Sequence, residues 1–423
     1  MNDQPSHSGL TTTSVVDRAA DLIFRASYSP VEVADLLTSA ETRSRIRRLT
    51  PHQLFFGLSG LDDRQMQLLL PQVTEEQWAA ILDLSLWDRD SADTDDLLNW
   101  QRHMINAPDA VARKLWRATS FQLWELAFSR DLKIARRLDE DTFEDILDED
   151  APIMTTPDGG YSIQLPTEPA QAETWGALLL RLFELEPEQM ALILEESLLR
   201  TPMELEEEAY QERCRHLEDF GFQDYFKALD VYSPLSSGAV LPVKNTDLPN
   251  LSVGLPSPVE ESSAGILFLQ ALAQIDDDTL LQELPEEVFF VCNKILSADR
   301  VRPDDAARLR ETVRKGLAGL NLGLSLHTRD DVGAAVATLA KCHLLSLFQL
   351  SYGELLSLQS KARQILAGGT RDDLLEQATL EAQAAAYPKQ VELSEGKLNL
   401  GYFWNRTDLD EAHRRLDRMQ ASL

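Results

Sequence analysis

The chain has 423 residues, 43% of them hydrophobic and 26% charged, and a formal net charge of −30 at pH 7. That charge opposes docking onto phosphate backbones or anionic lipid, so nucleic-acid and membrane-surface roles fall away and basic protein surfaces or divalent cations are favoured. Cys214, Cys292 and Cys342 are too few and too far apart for a disulfide framework or a thiolate metal site.

Residues 1–26 read as a loose polar tail, because Met1 to Ser14 has no basic segment leading into an apolar one. No apolar run approaches the ~20 residues that span a bilayer; the best, Trp175 to Phe183, is interrupted by Arg181. No membrane insertion is expected, and the expected compartment is the cytoplasm.

An N-terminal helical lobe is expected over 27–230. A short phrase recurs in it: Leu49-Thr50-Pro51-His52-Gln53-Leu54, Val73-Thr74-Glu75-Glu76-Gln77-Trp78 and Ala118-Thr119-Ser120-Phe121-Gln122-Leu123, with a looser Leu185-Glu186-Pro187-Glu188-Gln189-Met190. Thr at the N-cap takes a free backbone N–H, Gln three residues on reaches back to the cap, and flanking apolar residues close as a staple. Each copy is expected to start a helix. The irregular spacing argues for short helices turning on one another rather than a strict solenoid. Trp78, Trp87, Trp100, Trp116 and Trp124 fall here, as core anchors for the wedge-shaped gaps.

Asp88, Asp90, Asp93, Asp95 and Asp96 follow Trp87 in what reads as a loop. Oxygen-rich loops bind hard divalent cations, which makes these five the candidate metal ligands. The calcium-loop pattern fails, since Ala92 takes the fifth position and the central glycine and terminal Glu are missing. Solvated carboxylates near helix N-termini are the competing reading, for these and for Asp276-Asp277-Asp278.

After a charge run over Asp139 to Asp150, two β-prone pieces flanking Pro157-Asp158-Gly159-Gly160 predict a hairpin near 153–165, packed on the helices as a flap. Helices resume from Gln171 to Leu229, with Glu204 to Glu208 as an exposed face. Residues 231–263, rich in Pro, Ser, Gly and Asn, read as a linker or long surface loop.

The C-terminal helical lobe is expected over 264–423. Leu281, Leu284, Val288, Val291 and Ile295 form one stripe, which Pro285 is expected to divide into two helices. Ala306, Leu309, Val313, Leu317 and Leu320 form a second. Val332, Val336, Leu339, His343, Leu347 and Leu350 form a third. Val391 to Leu400 predicts another hairpin, and a last amphipathic helix starts near Asp408. The fold class is mainly α: short antiparallel helices stacked in two lobes, with one or two small β-hairpins.

Known catalytic motifs are missing: no nucleophile elbow, Walker loop, Rossmann glycines or His-Glu-x-x-His. Ser394-Glu395-Gly396-Lys397 has the Ser-x-x-Lys spacing but sits in a turn. Gly316, Gly319 and Gly323 share one side of a helix, which suits close approach of a neighbour better than a phosphate cradle. The pairs Cys342/His343 and Cys214/His216 diverge on a helix, so buried structural thiols and a satisfied core histidine are expected. No catalytic residue and no cofactor is assigned.

Leu69-Leu70-Pro71-Gln72-Val73-Thr74-Glu75-Glu76-Gln77-Trp78, Thr156-Pro157-Asp158-Gly159, Gly221-Phe222, Asn293-Lys294-Ile295-Leu296 and Leu347-Phe348-Gln349-Leu350-Ser351-Tyr352 resemble an uncharacterised bacterial domain-of-unknown-function family. The resemblance spans most of the chain and implies helical, cytoplasmic proteins without a known activity. The Thr-x-x-Gln helices of the first lobe are also similar to the N-terminal domain of MgtE-type magnesium transporters and to FliG-type rotor proteins, superhelical interaction or sensor domains. The expected function is protein–protein interaction or scaffolding, an acidic surface meeting a basic or amphipathic partner. A divalent-cation-responsive regulator and an enzyme with an unfamiliar inter-lobe site are the alternatives.

Overall fold

The computed structural model describes residues 30–38, 42–58, 61–137, 147–148, 151–219, 223–236, 238–244, 266–301, 306–394 and 397–421. The tail at 1–26, the charge run apart from Leu147 and Asp148, and residues 245–263 of the expected linker lie outside them. The chain is mainly α-helical and divides into two compact units, Tyr28–Phe220 and Gly221–Val301 with Ala307–Leu423.

The first unit runs α1 (Pro30–Thr38), α2 (Thr42–Ile46), α3 (Pro51–Leu58), α4 (Asp63–Leu69), α5 (Glu75–Ser85), β1 (Trp87–Asp88), β2 (Ser91–Ala92), α6 (Thr94–Gln101), α7 (Asp109–Ala118) and α8 (Phe121–Asp131). There follow β3 (Lys133–Arg136), β4 (Ile153–Thr155), β5 (Tyr161–Gln164), α9 (Pro169–Leu185), α10 (Pro187–Leu199) and α11 (Pro202–Asp219).

The Thr74–Gln77 phrase is a full capping box: Gln77 N donates to Thr74 Oγ1 at 3.1 Å and Thr74 N to Gln77 Oε1 at 2.9 Å. The Gln77 amide also donates to the Ile46 and Leu49 carbonyls at 2.9 and 2.7 Å, so one buried side chain starts α5 and fastens the end of α2 to it. Asp62 and Gln65 form a second box, at the start of α4, in residues without the Thr-x-x-Gln spelling.

The third copy works differently from the expectation. Ser120, not Thr119, caps α8, taking the Leu123 N–H at 3.2 Å. Thr119 closes α7 instead, and its hydroxyl receives Trp78 Nε1 at 3.2 Å and Gln101 Nε2 at 2.9 Å. Buried indole and amide donors both needed an acceptor, and that demand outweighed the cap. In the looser copy Glu186 makes no side-chain cap, while Gln189 accepts from Trp116 Nε1 at 2.7 Å. Trp78, Trp124 and Trp175 are fully buried. Trp116, Trp124, Phe128 and Trp175 form a chain of ring contacts with centroids 4.6, 5.9 and 5.6 Å apart in turn.

The hairpin near 153–165 forms, with Gly159 at φ +74° in its turn. It is not a two-stranded flap: β5 is the centre of a three-stranded antiparallel sheet, β3-β5-β4. Every β5 residue is buried, and the added ladder gives an otherwise marginal hairpin its support.

The second unit comprises α12 (Tyr225–Ala228), a 3-10 turn at Leu229–Tyr232, α13 (Leu267–Leu272), α14 (Asp278–Ala298), α15 (Ala306–Thr328), α16 (Val332–Lys341), α17 (Leu344–Ala367), α18 (Leu374–Ala384), β6 (Gln390–Ser394), β7 (Lys397–Gly401) and α19 (Arg406–Ala421). Pro285 does not divide α14, which is continuous through it. A mid-helix proline forfeits one backbone bond and costs about 3 kcal/mol or more. Burial of Leu284, Val288, Val291 and Ile295 on one stripe opposes that cost.

The third stripe does break, at a point the sequence pattern passed over. Cys342 ends α16 and His343 is the N-cap of α17, so the stripe belongs to two helices. Cys342 forms an antiparallel bridge with Val243, and His343 lies 3.8 Å from the buried Glu287 carboxylate. Cys292 is buried as expected, whereas Cys214 is half-buried. The glycine reading holds: a Cβ on Gly323 would lie 2.0 Å from the Leu347 carbonyl oxygen, and one on Gly319 2.5 Å from the Phe348 ring. These two glycines let α17 lie directly on α15. The hairpin β6–β7 and the amphipathic α19 complete the unit.

Candidate functional site

Helix α11 builds two concavities of the first unit. Its buried stripe, Leu205, Ala209 and Leu217, seats it on the core.

At its N-terminal end lies an open groove of 580 Å³, lined by Asp90, Ser91, Met203 and the carboxylates Glu204, Glu206, Glu207 and Glu208. Met203 is 78% exposed, and Leu199 and Leu192, seven residues apart on one face of α10, are 70% and 58% exposed. Glu206 ties the groove together. It pairs with Arg130 at 2.5 Å and accepts the Ala92 N–H at 2.9 Å, while Arg130 donates to the Ala92 carbonyl at 2.8 Å. Burial pushes the Glu206 carboxyl up, but Arg130 and the Ala92 N–H outweigh it and the net shift is down. Glu208 pairs with Arg200 at 2.5 Å, and Glu204 accepts from the Thr201 N–H at 3.0 Å.

The five aspartates expected as metal ligands are distributed over three tasks. Asp88 and Asp90 sit on the β1–β2 hairpin, whose tight turn needs Arg89 at φ +63°. Asp93 caps α6 through the Asp96 N–H at 2.9 Å, which places Asp96 in the first turn. Asp95 accepts from Gln171 Nε2 at 2.9 Å. Of the five, Asp90 alone lines the groove. Among the described residues no group of three or more His, Cys, Asp or Glu side chains is arranged to hold a metal ion.

Two turns further along α11 is a smaller pocket of 260 Å³. Asp83, only 5% exposed, faces it from α5, and its Oδ2 is 3.3 Å from His216 Nδ1. The other ring nitrogen of His216 is 3.2 Å from Glu212 Oε1. Burial raises the Asp83 carboxyl above its usual range even though His216 and Arg213 oppose it. The contact with Asp83 raises His216 in turn, so the imidazole holds its proton more tightly than a free histidine. Arg117 and the first turn of α8, at Phe121 and Gln122, line the same pocket. The sequence pattern singled out none of these as a site residue. The available signal was Asp83 inside the apolar run Ala79 to Leu84, since a buried carboxylate requires a partner.

In the second unit a polar cluster surrounds Lys315, which is 7% exposed. Its ammonium lies 2.6 Å from the Tyr232 hydroxyl and 2.7 Å from Asp299 Oδ2, and 4.3 Å from the Tyr387 ring centroid. The Tyr232 hydroxyl donates to the other Asp299 oxygen at 2.6 Å. Burial lowers Lys315, with Asp299 acting against it.

The architecture is that of a mainly α-helical protein of two compact units, and among the described residues no helix is long and apolar enough to cross a membrane. The chain belongs to a family of unknown function, DUF6178, whose model matches residues 26–422. No curated protein and no solved structure matches it.

Proposed function

We propose that this protein is a cytoplasmic interaction or scaffold protein whose α10–α11 face receives a basic amphipathic segment of a partner. The observation that carries the reading is the 78% exposure of Met203 within a groove whose other side chains are mostly carboxylates. Exposed apolar groups rimmed by one sign of charge are the usual composition of a helix-binding surface. Arg130 and Arg200 neutralise Glu206 and Glu208 from below, which leaves Asp90, Glu204 and Glu207 as the acidic rim. Leu192 and Leu199 extend the apolar strip along α10. The net charge of −30 steers a cationic partner from a distance and repels nucleic acid. Three cysteines, none of them in a disulfide, fit a reducing compartment.

The test uses the full chain and a labelled amphipathic helix of Leu and Lys, with a scrambled peptide of equal composition as control. Fluorescence anisotropy is expected to give saturable binding that weakens with salt and falls about tenfold in Met203→Glu, as for loss of a central apolar contact. Equal affinity for both peptides, or a Met203→Glu variant that binds as the parent does, refutes the reading.

A further inference from the structure

The smaller pocket of the first unit is lined by a histidine whose contacts depend on its own proton count. His216 stands in the C-terminal turns of α11 and faces a carboxylate with each ring nitrogen. Nδ1 lies 3.3 Å from Asp83 Oδ2 on α5, and Nε2 lies 3.2 Å from Glu212 Oε1, one turn back on α11 itself. An ionised carboxylate only accepts, and a neutral imidazole carries one N–H and one lone pair. The imidazolium alone donates to both oxygens. Loss of one proton therefore turns one of the two contacts into a pair of acceptors facing each other.

Neither tautomer of the neutral ring restores the arrangement. With its N–H on Nδ1 the ring keeps Asp83 but no longer offsets that buried charge, and its lone pair points at Glu212. With its N–H on Nε2 it keeps Glu212 and leaves Asp83, 5% exposed, without the donor that the ring supplied. Among the described residues that ring is the hydrogen-bond partner of the Asp83 side chain. Arg213 adds a tie from α11 to α5 that does not titrate, through the Asp83 backbone carbonyl at 2.8 Å.

The surrounding charges favour the proton. Helix α11 packs against α8, α5 and β2. On α5 the acidic group at the ring is Asp83, since Glu75 and Glu76 sit in the first turn at the far end. The charged side chains of α8, Glu125, Arg130 and Asp131, are engaged with Arg200, Glu206 and Thr94, and β2, Ser91–Ala92, has none. Arg117, which lines the pocket from α7, is paired with Glu186 at 2.7 Å. On α11 itself Glu212 supports the imidazolium and Arg215 opposes it. The Asp83 contact raises His216 above its ordinary 6.5 against the effect of burial, and burial raises Asp83 in turn, so the pair holds protons that the unfolded chain has released. The His216 contribution to stability is thus complete below 6.5 and is lost as pH rises through the higher folded-state value. We propose that His216 is a proton-operated latch, which as the imidazolium fastens the C-terminal turns of α11 to α5 and on losing a proton lets them loosen. Leu205 and Ala209, buried on the core, keep the N-terminal turns seated in both states.

The experiment follows the full chain, labelled with carbon-13 histidine, by NMR across pH. The His216 signal is assigned among the seven histidines by its loss in the His216→Gln variant. Its midpoint is expected above 6.5, and lower in both Asp83→Asn and Glu212→Gln than in the parent. Amide exchange read by mass spectrometry, with the intrinsic pH dependence removed, reports the helix. The C-terminal turns of α11 are expected to lose about tenfold in protection between about pH 6 and about pH 9, the worth of one charge-assisted bond. His216→Gln is expected to show no such loss. Titration of any other group, Glu125 included, is common to parent and variant and drops out of that comparison. The latch is overturned by a His216 midpoint at or below 6.5, by a midpoint that neither carboxylate variant moves, by a parent that loses no protection, or by an equal loss in His216→Gln. Should Asp83→Asn fail to fold, Glu212→Gln, altered at a partly exposed side chain, carries the decision.

Discussion

Replacing Glu125 with glutamine is expected to stabilise the first unit above neutral pH. Glu125 lies on α8, 2% exposed, with Oε2 3.3 Å from Arg200 Nη1. Burial raises its carboxyl from 4.5 to about 7 despite the attraction of Arg200. A folded-state value above the unfolded one means that the native protein keeps a proton which the unfolded chain has released. The resulting stability is whole below 4.5, declines as pH rises, and is gone above about 7. At about 1.4 kcal/mol per pH unit the gap between those values amounts to roughly 3 kcal/mol. A glutamine side chain escapes this penalty, and because the value of about 7 already includes the attraction of Arg200, nothing further is subtracted. The Glu125→Gln variant is therefore expected to be roughly 3 kcal/mol more stable than the parent near pH 8 and about as stable near pH 4.5, where the buried carboxyl is protonated. Six of the seven tryptophans lie in this unit, so urea unfolding followed by indole fluorescence reports it directly. A stability difference between variant and parent that stays constant from pH 4.5 to 8 would show that Glu125 does not titrate in that window, and would refute burial as the control on its proton.

Gly323→Ala places a methyl group on the Leu347 carbonyl and is expected to destabilise the second unit by roughly 3 kcal/mol or more, the upper range for overpacking. Gly401→Ala, with nothing within 4 Å of its Cβ, serves as the near-neutral control in the same thermal melts. Thr74→Ala removes one cap bond and should cost about 1 kcal/mol. Gln77→Leu also strands the Ile46 and Leu49 carbonyls and should cost about 2–3 kcal/mol, so equal melting temperatures for the two variants would contradict the dual role given to Gln77.

What the sequence disclosed was local. A helix start needs only residues three or four apart, so the Thr74–Gln77 box and the start of α19 near Asp408 could be placed directly. The same rule misassigned Thr119, because its acceptor went to Trp78 and Gln101, partners 41 and 18 residues away that periodicity does not represent. Pro285 shows the complementary error: the local cost is real, but the burial along α14 was invisible until the partners were known. The pocket was illegible for the same reason, since Asp83 and His216 are 133 positions apart. Asp88 to Asp96 look like one cluster only while neighbours in sequence are equated with neighbours in space. The backbone instead turns at Arg89 and enters α6 at Thr94, which distributes the carboxylates among a hairpin, a cap and a contact with α9.

Lys315 shows a different kind of specification. Its protons go to a phenol and a carboxylate contributed by residues 232 and 299, and its charge rests on the face of Tyr387. A methionine of similar length would fill the space yet leave Asp299 and Tyr232 facing each other without a cation, and the broader, planar arginine would not match the same three partners. At this point polarity as well as volume determines which chain segments meet, and a sequence redesigned for a greasier interior would lose the instruction that brings them together.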